Sequence, residues 1–140
     1  RLQTGDYVLE GHERRTIIER KAHLSELHGN LCREPGRTRF VAELQRLRSE
    51  CSNPVILLEG DPLSLQNVRD PSIDPSLVRD ALLRAAIEYN VTVFLLPSSS
   101  ASSRRATGEW LTALLIAGAT NGSSSQEVRG RVDHGHPGPG

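Results

Sequence analysis

Methionine is absent from the 140 residues, and cysteine occurs only as Cys32 and Cys51. Two cysteines at that spacing exclude a disulfide framework and a Cys-x-x-Cys site; they fit a reduced, intracellular setting. Net charge is also missing, because 17 basic residues balance 17 acidic ones. A whole-chain basic field is therefore excluded as the basis of nucleic-acid binding, and any basic surface must be local. No run is long and apolar enough to cross a membrane, and no signal peptide is visible, so no membrane partner is expected. Hydrophobic residues make up 36%, low for a compact domain, with a polar tail accounting for part of the deficit. The length suits one domain and a core without staples. With no methionine and an opening inside a strand pattern, the chain reads as a fragment.

Strands are expected over residues 5–10 and 15–21, joined as a hairpin around Gly11 to Arg14. A helix follows over 22–31, with Leu24, Leu27 and Leu31 on one face. Pro35-Gly36 marks a break. The next helix runs to Cys51, burying Phe40, Leu44, Leu47 and Cys51 and turning Arg39, Glu43, Arg46 and Glu50 outward. Val55 to Glu59 reads as a central strand covered on both faces. After a loop, Asp74-Pro75 reads as an N-cap followed by proline at the first helical turn. That helix carries Leu77, Val78, Ala81, Leu82, Ala85 and Ala86. Val91 to Leu96 is a second buried strand, closed by Pro97. The last helix holds Trp110, Leu111, Leu114 and Leu115, with Gly118 as its end signal. Residues 1–120 form the domain, and 121–140 read as a disordered Ser/Gly/Pro-rich tail. A hairpin followed by alternating helices and strands predicts a three-layer α/β domain with a central mixed sheet flanked by helices.

The hairpin register sets Glu10 opposite Arg15, Leu9 opposite Thr16 and Asp6 opposite Glu19. Carboxylates directly across a strand pair repel, and a divalent cation is the simplest group to make that placement tolerable. Lys21 lies two residues beyond Glu19, on the same face. Two acids and a lysine around one point are the equipment of metal-assisted phosphodiester hydrolysis.

Gly5-Asp6-Tyr7, with Glu19-Arg20-Lys21 beginning thirteen residues after the aspartate, resembles the XPF-type nuclease domain in its compact phage or bacterial form. The similarity extends to the helix with Arg39-Phe40 and Glu43-Leu44, the strand ending in Glu59-Gly60, and Val91 to Leu96 with its following helix, over roughly residues 3–118. The resemblance implies a restriction-endonuclease-like fold and a Mg²⁺- or Mn²⁺-dependent endonuclease of branched, flap or junction DNA. It also implies a homo- or heterodimer through the nuclease domain. In intracellular terms it implies the cytoplasm or nucleoid, or the nucleus in a eukaryote. Two departures stand out. Ser25 occupies the place of the family's closing aspartate, with Glu26 beside it but about 100° away on a helix. The family's upstream Asp-x-Arg has no counterpart.

On this resemblance Asp6 and Glu19 are metal ligands, Lys21 orients or activates the attacking water and helps stabilise charge on the transition state, and Arg20 is a required site residue. The plainer readings are a Gly-Asp turn, a Glu19 paired with Arg14 or Arg15, and an exposed strand-end lysine. Arg20 faces away from Glu19 and is expected to pair internally or to hold the helix that follows, rather than to touch the scissile phosphate. Arg37 and Arg39 open a helix and could meet DNA phosphates or pair with Glu43. Arg104 and Arg105 are either DNA contacts or solvated charge. Glu59 has an accessory-metal role or a pairing role. His23, His28 and Cys32 do not share a helical face, which argues against zinc. The competing functions are an active endonuclease and a catalytically inactive DNA-binding scaffold that partners an active nuclease. An unrelated α/β domain with a chance motif is the third.

Overall fold

The computed structural model describes residues 5–129. Its elements are β1 (Thr16–Lys21), α1 (Leu24–Cys32), α2 (Gly36–Glu50), β2 (Asn53–Glu59), α3 (Pro62–Gln66), α4 (Pro75–Tyr89), β3 (Thr92–Leu96) and α5 (Ala101–Arg129). The strands form one parallel sheet in the order β1-β2-β3. Parallel neighbours need long crossovers, which α1 with α2 and α3 with α4 provide.

Strand β2 has no charge before Glu59 and is buried from Pro54 to Leu58. Its side chains alternate between two cores. Ile56 and Leu58 pack with Leu24, Leu27, Phe40, Leu44, Val78 and Leu82 from α1, α2 and α4. Val55 and Leu57, with Ile18, meet Leu111, Leu114 and Leu115 of α5. The expected three layers are therefore helices, sheet and helix.

The antiparallel part of the sheet is smaller than the sequence suggests. Residues 5–10 do not form a strand; they make one bridge, Tyr7 to Ile18. That bridge has the expected register. Extension fails at both ends for local reasons. The Arg20 N–H, which the next ladder bond would use, donates to Asp6 Oδ2 at 2.8 Å. The Leu9 carbonyl instead accepts from His12 N at 2.9 Å in a turn. Asp6 N and Tyr7 N both donate to the Ile18 carbonyl, a bulge-like pairing that re-aims the Asp6 side chain.

Other differences have equally local causes. Strand β3 pairs on one side only and is half-exposed rather than buried. Helix α3 falls in the expected loop, started by a reciprocal capping box between Asp61 and Ser64. In α4 the buried stripe is Val78, Leu82 and Ala86, and Leu77 is 64% exposed, about 100° round the helix from Val78. Asp74 caps α4 through Ser76 N, as expected. Gly118 does not end α5. A side chain there would collide with Thr16 Oγ1 and sit 3.1 Å from Thr16 Cβ, so this glycine permits close approach of α5 to β1. The helix continues through Arg129, and residues 130–140, including His134 and His136, lie outside the described residues.

Candidate functional site

The C-terminal ends of three parallel strands lie side by side, the end of an open α/β sheet at which ligands bind. Alternation along β1 sends Ile17, Glu19 and Lys21 to the α2 side and Ile18 and Arg20 to the α5 side.

Lys21 is the only lysine in the sequence and is 5% exposed. Its Nζ donates to Glu19 Oε1 at 3.1 Å and lies 3.5 and 3.4 Å from Glu43 Oε1 and Oε2. Glu26 Oε1 is 4.0 Å away, and the Phe40 ring centroid is 5.5 Å from the ammonium. The exposed strand-end reading of Lys21 is thereby overturned. Burial works to lower the Lys21 pKa, but Glu43, Glu19 and Glu26 outweigh it and hold it above the ordinary lysine value. The group stays an ammonium.

Glu19 shows the converse. Burial first, then the neighbouring Glu43 carboxylate, push its pKa up to about 7 against the pull of Lys21. Glu43 was expected to face solvent; it turns inward because it lies about 60° from buried Phe40 on α2. The available signal was a glutamate flanking the Phe40-Leu44-Leu47 stripe. Glu26 stays exposed at the edge of the cluster, and its Oε2 accepts from Ala22 N at 3.1 Å.

Asp6 sits at the outer edge of β1, fixed to the Glu19–Arg20 peptide through Oδ2. Gly5 makes this approach possible. Its φ is +75°, and a side chain there would strike Ile17 Cγ2, so only glycine fits. Asp6 and Glu19 meet the same stretch of β1, but the carboxylate beside Glu19 in the cluster is Glu43. Arg20 pairs on the other face with Glu59, which also accepts from Ser98 Oγ at 2.7 Å. The Arg20 hydrogen bond, against burial and helped by Ser98, lowers the Glu59 pKa. This network ties the ends of β1 and β2 to the loop after β3. Arg20 thus pairs within the protein, and Glu59 is its partner.

Ser25 lines an open cleft of about 510 Å³ in which His23, Glu59, Arg69 and Asp70 meet the apolar Leu65 and Val68. Arg37 and Arg39 lie exposed in the first turns of α2 and form no ion pair among the described residues, so the Glu43 pairing is not made. Arg104 donates to the Ser98 carbonyl at 3.4 Å, and Arg105 is exposed. None of these four arginines touches the Lys21 cluster.

The donor set suits a hard divalent cation in kind. It offers carboxylate oxygens, one of them on a group raised by burial and by a like charge, which a cation would relieve. Among the described residues no three acidic, histidine or cysteine side chains form a ready-made metal cluster.

The family model of the ERCC4 domain matches residues 1–114. Among solved structures the fold is similar to XPF from Aeropyrum pernix, with a TM-score of 0.60 and 19% identity, over 91% of this chain and 55% of that one. The chain thus spans a little over half the length of that relative, and at this identity the likeness is one of fold. No curated protein sequence matches. A family model covering most of the chain, over the same strand ends that carry Glu19-Arg20-Lys21, places this protein in the ERCC4 domain family.

Proposed function

We propose that this chain is the nuclease domain of a metal-dependent DNA endonuclease acting on branched, flap or junction DNA by phosphodiester hydrolysis. The observation that carries the reading is the sole lysine, buried and kept charged beside Glu19 at the end of β1. Buried ammonium groups are rare without a specific partner set, and a fixed positive charge is what a phosphoryl transition state needs. Glu19 and Asp6 are the residues to hold Mg²⁺ or Mn²⁺, which supplies Lewis-acid activation when bound. Asp6 is held at the end of β1 through Oδ2 alone among the described residues, and its other carboxylate oxygen is the one to meet the cation. Lys21, charged throughout, stabilises the developing negative charge and does not act as a base. Arg20, held by Glu59, fixes the β1 end from behind. Arg37, Arg39, Arg104 and Arg105 are the DNA-backbone contacts, each sequence-independent.

The test is cleavage of a flap or fork oligonucleotide. Cutting is expected with Mg²⁺ or Mn²⁺ and should vanish in Asp6→Ala and Lys21→Ala; no cutting with either metal overturns the reading.

Ser25 favours a second reading, an inactive DNA-binding scaffold that partners an active nuclease. Calorimetric titration with Mn²⁺ separates the two, because a dead site shows no binding that depends on Asp6.

The same reading includes a dimer through the nuclease domain. Trp110 is 64% exposed on α5 and borders an apolar groove with Phe94, Leu96, Leu111 and Leu114, the kind of patch that marks an interface. In sedimentation, Trp110→Glu is expected to shift a dimer to monomer; an unchanged sedimentation coefficient removes this face from the interface.

A further inference from the structure

We infer that Glu43 is a positioning residue that holds the Lys21 ammonium in place while the Glu19 carboxylate is engaged elsewhere. The catalytic consequence rests on the endonuclease reading; the structural claim does not.

An ammonium has three donors and no acceptor. Lys21 makes its shortest bond to Glu19 Oε1, 3.1 Å. Glu19 is also the group proposed to hold a cation, and a carboxylate turned toward a cation releases its lysine. The Lys21 side chain is only 7% exposed, and an abandoned buried charge is costly.

Glu43 supplies the remaining anchor. Both its oxygens lie within 3.5 Å of Nζ, so the ammonium straddles the carboxylate. Glu26, at 4.0 Å, is already committed to the Ala22 amide. Phe40, one turn before Glu43 on α2, presents its ring to the same ammonium at 5.5 Å, adding a cation–π contact. Phe40 is 2% exposed and locked in the main core. Counter-charge and aromatic seat therefore come from one turn of one helix, α2, rather than from β1.

The single lysine makes the test direct, since the full chain has one lysine ammonium to observe by ¹⁵N NMR. In the wild type its signal is expected to persist through slow exchange with water. In Glu43→Gln, a near-isosteric change, it should exchange faster and broaden away, and Glu43→Asp should restore it in part. Unchanged exchange in Glu43→Gln overturns the inference. On flap DNA, Glu43→Gln is expected to lower kcat roughly 10- to 100-fold with KM unchanged; a raised KM with unchanged kcat also overturns it. Should the wild type cut no DNA, the endonuclease reading falls, and the ammonium exchange alone decides the role of Glu43.

Discussion

Replacing Lys21 by methionine is expected to destabilise the fold by about 3 kcal/mol near pH 8 and by much less near pH 5. The cause is the pair of carboxylates that the ammonium neutralises. Glu19 and Glu43 lie side by side and largely withdrawn from water, and Lys21 works against the rise of the Glu19 pKa. The sign follows from proton binding. A carboxylate whose folded pKa lies above its unfolded value binds more protons in the folded state, so stability falls as pH rises between the two values. In the wild type Glu19 sets that window from about 4.5 to about 7. Without Lys21 the upper limit moves higher and the loss deepens. Urea unfolding at the two pH values measures it, and Lys21→Met/Glu43→Gln should recover much of the alkaline loss. Equal losses at both pH values would show that packing, not charge, is what Lys21 provides.

The second large effect lies far from the charged cluster. Gly118→Ala is expected to cost about 2–3 kcal/mol by overpacking, a fall in Tm of roughly 6–12 °C for a domain of this size. The added methyl would overlap Thr16, which is 2% exposed. Threonine is stiff at χ1, and its hydroxyl also accepts from Asn53 Nδ2 at 3.4 Å, so it cannot swing aside freely. The methyl must therefore push α5 off the start of β1. Calorimetry of Gly118→Ala alone and with Thr16→Ala tests this. The double variant should regain part of the loss, whereas an unchanged Tm in the single variant would mean α5 does not press on Thr16.

Much of the architecture was legible because it is written in short-range patterns. The β2 run from Val55 to Leu58 has no polar residue to misplace, and the Asp74-Pro75 start carries its own capping chemistry. The register Tyr7 to Ile18 followed from counting around one turn. The failures share a different cause. Residues 5–10 alternate adequately for a strand, yet the Asp6 side chain takes the amide that a ladder would need. Gly118 looks like a helix end, and only its neighbour in space explains it. Val91 to Leu96 is apolar enough for a centre strand, but apolarity does not say how many neighbours a strand has.

The candidate site divides along the same line. Glu19 and Lys21 were placed together by period-two alternation, and the structure keeps them together. Glu43 was missed because a helical wheel sorts residues by angle from the core, while a residue at the stripe's flank can face either solvent or a cleft. Only the position of β1 against α2 decides between the two.

Strand β3 also bears on handling the protein. Among the described residues its outer row of backbone N–H and C=O groups has no pairing strand, and its sequence Thr-Val-Phe-Leu-Leu carries none of the charged gatekeepers that discourage stacking. Only Pro97, just past its end, interrupts a continuation. Concentrated solutions should therefore aggregate through this exposed margin first, and a lysine at Thr92, where the chain faces water, is the smallest change that would keep the material soluble.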